Sequence, residues 1–447
     1  MALVQPFRAY RYNPTLAPFE KALTQPYDKI TPAMQEKYYA ADPHNLIAIE
    51  KGRVQKDDTR QNNVYTRAAA SLNAWIAAHV IQQDSAPAFY AYSQEYELPG
   101  TSQRRTRRGF IGLGHLEEYS ANVIFRHEHT LSGPKADRLE LLRHTHTHTG
   151  QLFMLYSDPA KCVDAILTEA ESSSKPVTEM MDEYGVVHRL WMIADAEKVA
   201  AIQKAMAGQK LVIADGHHRY ETSLNFRNES RTRAGKGASE APYERSMMTF
   251  VNTQSEGLTI LPTHRVVSNL RDFSWSAVRR YLEPWFATEV FSFTNDAQRG
   301  EALEKFQSRL TQARMHRAIG VYPASADGQH AFYLLTLRPE ADLAQILPGL
   351  SALQRQLDVV LLHQGILEPA LGVTPRAVAS ESNLTYEREF AAALDDVDRG
   401  AQLAFLLNPV DVDVVMKVAT AGEVMPQKST DFYPKLLSGI TMYRIEE

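Results

Sequence analysis

A chain of 447 residues, 44% hydrophobic and 23% charged, is composed like a folded globular protein and is longer than one hydrophobic core usually serves. Two domains are therefore expected. The net charge of −5 excludes a global attraction to nucleic acid or to an anionic membrane, and a single cysteine, Cys162, excludes an internal disulfide or a multi-cysteine metal centre.

The first residues lack the basic-then-apolar pattern of a secretory leader, and no stretch reaches the roughly eighteen apolar residues of a membrane span, so a cytoplasmic protein is expected. Apolar residues at helical spacing predict a helix over Ala68–Val80, and two β-rich runs, Ala88–Leu98 and Arg107–Leu116, predict a strand pair. Short apolar runs at Gln151–Tyr156, Val186–Ile193 and Lys210–Ala214 predict buried strands. Between the last two, Ala196–Ala207 has helical period, and Tyr220–Asn228 predicts another helix. The Gly-rich, charged run Arg231–Ala241 predicts a mobile loop before a strand at Met247–Asn252. Beyond residue 266 the order is that of an α/β domain. Strands are expected at Ala287–Phe293, Ile319–Tyr322, His330–Thr336 and Gln402–Leu407, with helices at Ser276–Leu282, Ala297–Ala313, Ala352–Leu367, Glu387–Arg399 and Val412–Ala419. The expected division is 1–266 and 267–447.

The most informative segment is Asp215-Gly216-His217-His218-Arg219. A strand entering it and a helix leaving it would put Gly216 where backbone approaches an anion, with the next amides aimed from the helix N-terminus. Arg219 adds a planar cation that can fork onto phosphate, His217 and His218 would donate or titrate near neutral pH, and Asp215 could hold magnesium. The plain alternative is a turn whose side chains are solvated or paired with Glu221.

A second cluster, Arg126-His127-Glu128-His129-Thr130 with Lys135, Asp137 and Arg138, offers Glu128 as a general base, the alternative being a solvated charged loop. His144, His146 and His148 would share one face if they lay on a strand, as a transition-metal site needs. Substrate contact by Thr147 or His148 is the preferred reading there. In the segment 425–435, Lys428, Ser429, Thr430 and Lys435 are candidate phosphate ligands; a terminal stretch docked through Phe432 and Tyr433 is the alternative. The glycines of a P-loop, a dinucleotide fingerprint and a nucleophile elbow are all missing.

Several segments together resemble the bacterial and archaeal domain-of-unknown-function family 1015. They are Pro6–Tyr12, Gln25-Pro26-Tyr27-Asp28-Lys29-Ile30, His127–Thr130 with Asp137-Arg138, Ala214–Tyr220, Leu261–Arg265 and Met425–Lys435. The Asp-Gly-His-x-Arg core is also similar to the phosphate-binding signature of the ParB and sulfiredoxin group, which includes a free-serine kinase using a nucleoside diphosphate. That resemblance implies a mixed α/β fold with a ParB-like N-terminal phosphate-binding domain and a C-terminal α/β domain. It implies that Asp215, His217 and Arg219 hold nucleotide phosphate (ADP or ATP) and magnesium, while a separate carboxylate, Glu128 or in reserve Asp28, takes a proton from a hydroxyl. Tyr27, His127, Thr130, Arg138 and His264 are the substrate candidates. The family's usual Pro-Pro-Tyr-Asp stands here as Gln25-Pro26-Tyr27-Asp28, and the run His144–Thr149 replaces a more varied stretch. The expected function is small-molecule phosphotransfer, with phosphoester hydrolysis and a ParB-like nucleotide-binding regulator as rivals. A small-molecule substrate is expected, with no nucleic-acid or membrane partner.

Overall fold

The computed structural model describes residues 2–128, 133–235, 240–325, 330–380 and 382–446. The fold is mixed α/β and divides into two compact units, residues 1–259 with 432–447 and residues 260–431. The chain thus leaves the first unit after Thr259, seven residues before the expected boundary at 266, and re-enters it at Phe432. Among the described residues no helix is long and apolar enough to cross a membrane.

The first unit is built on a nine-stranded mixed sheet. In chain order its strands are β1 (Val4–Gln5), β2 (Phe89–Glu97), β3 (Arg104–His115), β4 (Ile124–Arg126), β5 (Leu152–Tyr156), β6 (Thr178–Met181), β7 (Val187–Ile193), β8 (Leu211–Asp215) and β9 (Arg245–Asn252). Their spatial order is β4-β8-β5-β9-β3-β2-β7-β6, with β1 added beside β3. The pairs β8/β4 and β9/β5 are parallel and the others antiparallel. Alternate strand residues enter one core, where Phe89, Ala91, Phe110, Leu152, Met154 and Ile213 meet Val163 and Leu167 of helix Cys162–Ser173, Ile202 and Met206 of helix Ala196–Ala207, and Tyr220 and Leu224 of helix His217–Ala234. Period two in the strands and three to four in the helices is what such a layer requires.

Helix Val64–Ala77 begins four residues earlier than its apolar stripe, because Asn63 and Thr66 form a reciprocal capping box. Helix His217–Ala234 likewise outruns its expected limits at both ends. Its polar residues lack a clear apolar stripe, and its C-terminal turn takes over Arg231–Ala234, which were expected in a loop. The charged run Lys135–Arg138 lies in helix Gly133–Thr145 and not in a solvated loop.

The second unit carries a six-stranded antiparallel sheet of β10 (His264–Val267), β11 (Phe286–Phe293), β12 (Ala318–Pro323), β13 (His330–Leu337), β14 (Leu384–Glu387) and β15 (Leu403–Leu407), in the order β11-β13-β12-β15-β10-β14. Phe306 of helix Asp296–Gln312 and Leu394 of helix Phe390–Asp398 pack on it. The helix expected over Ala352–Leu367 is broken. A 3-10 turn at Gln354–Gln356 precedes helix Asp358–Leu362, which widens into a π turn at His363–Leu367.

Candidate active site

Strand β8 ends at Asp215, and Gly216 takes φ +92°, the left-handed region that glycine enters at no steric cost, before the eighteen-residue helix His217–Ala234. A β-carbon added at Gly216 would stand 3.1 Å from Arg219 Nε and 3.2 Å from Leu152 Cδ2; one added at Gly150 would stand 3.0 Å from Arg219 Nη1. Two glycines therefore make room for one guanidinium. Arg219 Nη2 donates to Asp215 Oδ2 at 3.0 Å and Nη1 to the Gln151 carbonyl at 2.7 Å, so its plane is fixed at the N-terminus of that helix.

Lys435 reaches the same carboxylate, its Nζ 3.4 Å from Asp215 Oδ1. The fully buried Arg107 holds that segment in place: its guanidinium donates to the Tyr433 carbonyl at 3.1 Å and to the Pro434 carbonyl at 2.5 Å, and Gln94 Nε2 donates to the Lys435 carbonyl at 2.8 Å. Phe432 is buried with its ring 5.5 Å from Phe153 and 6.0 Å from His127. Burial opposes the charge on Asp215, but Lys435, Arg219 and Lys29 outweigh it and hold the carboxyl well below the usual carboxylate range. Three cations thus act on one carboxylate at the helix N-terminus.

His127 and His217 contribute no charge there. His127 is fully buried, its Nδ1 donates to the Ile213 carbonyl at 2.7 Å, and burial pushes its pKa down to about 4. Its ring lies 4.8 Å from that of His217, which burial and then His127 hold well below the ordinary imidazole value. The expectation that His217 titrates near neutral pH is therefore corrected: a buried imidazole beside another imidazole stays neutral. Among the described residues the Nε2 of His217 has no hydrogen-bond partner. His218 follows on the first helical turn, half-buried. Parallel pairing of Arg126 with Ile213 brings Glu128, two residues on, to the end of the sheet where Asp215 lies.

On the other side of Arg219 the Tyr27 ring lies under Arg138, 4.3 Å from its guanidinium carbon, and burial, opposed by Arg219, pushes the phenol up to about 12. Asp28 acts on both Arg219 and Tyr27. Arg138 donates to Asp137 at 2.9 and 2.6 Å and to the Glu50 carbonyl at 2.7 Å. A cavity of about 50 Å³ opens here, lined by Glu50, Arg138, Thr147, His148, Thr149 and Arg219 among others.

Tyr27, Arg138, His127, Gly216, His217, Arg219, Asp215 and Lys435 are thus brought into one neighbourhood of the first unit. Thr130 lies outside the described residues. Lys428, Ser429 and Thr430 belong to the second unit, as does His264. The Lys428 carbonyl accepts from Arg265, Ser429 donates to the Pro426 carbonyl, and the buried His264 accepts the Leu407 amide through Nδ1, with its pKa lowered to about 4 by burial. His144 lies in the last turn of a helix that ends at Thr145, His146 has φ +47° and His148 is the second residue of the short strand Thr147–His148, so the three do not share a strand face. Among the described residues no three His, Cys, Asp or Glu side chains group as a metal site. Asp215 does not fit as a magnesium ligand either, since its two oxygens already face Arg219 and Lys435. Sequence reasoning passed over Glu50, Gly150, Lys29 and Arg107. Only Glu50 carries a local signal, a carboxylate closing the apolar run Leu46–Ile49.

The model of the family described as a protein of unknown function, DUF1015, matches residues 4–360. Comparison with curated proteins finds no match. Among solved structures, a mutant of free serine kinase in complex with ADP is 10% identical, with 73% of this chain and 89% of that one covered at a TM-score of 0.34. A conserved hypothetical protein from Pyrococcus furiosus is 12% identical over 70% and 90% at 0.32, and SbnI with a C-terminal truncation from Staphylococcus aureus is 11% identical over 73% and 85% at 0.30. At these TM-scores the likeness carries no functional argument.

Proposed function

We propose that this chain, which belongs to the DUF1015 family, is a small-molecule phosphotransferase that receives the phosphates of a nucleotide at the Gly216–Arg219 turn. One observation carries the reading: Arg219, Lys435 and Lys29, from three separate stretches of sequence, converge on Asp215 at the N-terminus of an eighteen-residue helix. Fixed cations gathered at a helix N-terminus suit a polyanion and stabilise charge on transferring phosphoryl oxygens. Asp215 orients Arg219 and Lys435; we assign it no metal. Magnesium, when it accompanies the nucleotide, would neutralise phosphate charge.

In the step itself the acceptor hydroxyl oxygen forms a bond to the terminal phosphorus as the bond to the leaving phosphate breaks, and the hydroxyl proton passes to a carboxylate. Glu128 is assigned that role on its position beyond β4, with Asp28 as its competitor. His218 lies on the helix turn with the phosphates, and Tyr27 and Arg138 border the acceptor. Incubating the full chain and magnesium with terminally labelled ADP or ATP and a panel of small alcohols tests the reading: label is expected in one alcohol. Release of phosphate from a phosphoester without nucleotide would assign hydrolysis instead, and nucleotide binding with no turnover would assign a regulator.

A further inference from the structure

The large sheet of the first unit is apolar on one face. Phe89, Ala91, Phe110 and Trp191 enter the core described above, and the residues between them on β2, β3 and β7 point the other way. Register pairs His188 with Gln94, Gln94 with Arg107 and Leu190 with Tyr92, so Tyr92, Gln94, Arg107 and His188 share that second face. Each is 2% exposed or less. Polar side chains shut away from water in this way are costly unless their groups are bonded.

What they bond is the segment that returns to the unit at Phe432. Arg107 donates to the carbonyls of Tyr433 and Pro434, Gln94 donates to that of Lys435, and the Leu437 amide is bonded to the Tyr92 oxygen. The Tyr92 hydroxyl continues the chain. It lies 2.7 Å from His188 Nδ1, and His188 Nε2 lies 3.2 Å from Asp182 Oδ2, which also accepts from Gln25 Nε2 at 3.1 Å. The other Asp182 oxygen accepts the amides of Tyr184 and Val186. Burial opposes the charge on Asp182, but His188 and these amides outweigh it, so the carboxyl is ionised and can only accept. His188 Nε2 therefore carries the imidazole proton, Nδ1 accepts the Tyr92 O–H, and the Tyr92 oxygen is left to accept the Leu437 N–H. Burial lowers the His188 pKa and so favours the neutral ring that this pattern needs.

The two ends of the chain lead to one place. Gln25 opens the stretch Gln25–Ile30 that carries Lys29, and Leu437 stands two residues beyond Lys435. Those lysines are two of the three cations that act on Asp215. We infer that His188 is a positioning residue: with Tyr92 and Asp182 it forms a relay of hydrogen bonds that ties the Lys29 stretch to the Lys435 segment and so sets both ammonium groups on Asp215 at the phosphate turn. The inference deepens the phosphotransferase reading and rests on it for the ligand, while the seating of Lys435 stands on the hydrogen bonds alone.

Tyr92→Phe keeps the ring and removes the middle joint. Its control is Tyr90→Phe, because Tyr90 lies on the same strand and face, is fully buried, and bonds Asp84, the Ala9 amide and the Phe7 carbonyl instead. Hydrogen exchange of the full chain, read by mass spectrometry on peptides covering 432–446, should be faster in Tyr92→Phe and unchanged in Tyr90→Phe. Calorimetric titration with ADP and with inorganic phosphate should give affinities roughly three- to tenfold weaker in Tyr92→Phe, the range for one neutral hydrogen bond, and wild-type values in Tyr90→Phe. In a Lys435→Met background the further loss caused by Tyr92→Phe should shrink, since one lysine through which it acts is gone; a merely structural role would give the same loss in both backgrounds. Nitrogen shifts of His188 in the wild type should show a proton on Nε2 alone. Unchanged exchange at 432–446 or unchanged phosphate affinity in Tyr92→Phe, an equal loss with and without Lys435, or a proton on His188 Nδ1 overturns the inference. If the wild type binds neither ADP nor phosphate, the phosphate reading falls, and exchange and nitrogen shifts still decide the relay.

Discussion

Asp215 and Glu50 are two carboxylates buried in one unit, both acting on Arg219, and they are held differently. Asp215 faces the side chains of Arg219 and Lys435, whereas Glu50 accepts hydrogen bonds from the hydroxyls of Thr149 and Ser438. Burial by itself therefore says little about what a carboxylate does.

The hardest test of that contrast is Glu128→Gln, expected to lower turnover about a hundredfold or more while leaving nucleotide affinity nearly intact, because it removes a base and no phosphate ligand. Normal turnover in Glu128→Gln with loss in Asp28→Asn would move the role to Asp28.

Next in size is Arg219→Ala, which touches both sides. It removes one of the cations that hold Asp215 and the donor to the Gln151 carbonyl, so denaturant unfolding should report roughly 3 kcal/mol of lost stability, together with a loss of nucleotide binding. Gly216→Ala should act on the phosphate side only. A side chain in the left-handed region costs about 1 to 2 kcal/mol and would displace the guanidinium that lies 3.1 Å from its β-carbon, so phosphate affinity should fall.

The effect of pH tests the buried groups without any substitution. The lowered values of His127 and His148, each about 4, mean that the unfolded chain binds protons below about 6.5 while the folded chain does not. Stability from these groups is present above pH 6.5 and lost between there and pH 4, at up to about 1.4 kcal/mol per pH unit for each histidine. The depressed Asp215 acts lower, its contribution present above the ordinary carboxylate value of about 3.9 and lost as pH falls toward its own. Unfolding midpoints across pH 2 to 8, with histidine resonances followed by NMR, check both; His127 titrating near 6.5 would contradict its buried, neutral state.

Much of this was legible before the fold was known, and the reasons are local. Strand β8, Gly216 and the helix after it announce themselves through an apolar run, an Asp-Gly turn and the basic residues that follow, and Ala196–Ala207 is a clean amphipathic period. The contributions of Arg107 and Lys29 were hidden because they depend on pairing between distant strands and loops, which no spacing along the chain encodes. His217 misled for the same reason. Its imidazole is ordinary in sequence, and only the ring of His127, brought up by parallel β4 and β8, makes it neutral. The helix expected at Ala352–Leu367 failed where its apolar run continued but the backbone changed its winding.

The return of residues 432–446 to the first unit has a consequence in time. Synthesis proceeds from the N-terminus, so Arg219, Gly216 and Asp215 leave the ribosome long before Lys435 and Ser438 do, with the whole of residues 260–431 made in between. Until then Asp215 lacks one of its cations and Glu50 one of its hydroxyls. The second unit is in this sense a delay built into the gene's reading order, and the first unit acquires its complete set of charges only after its neighbour has been translated.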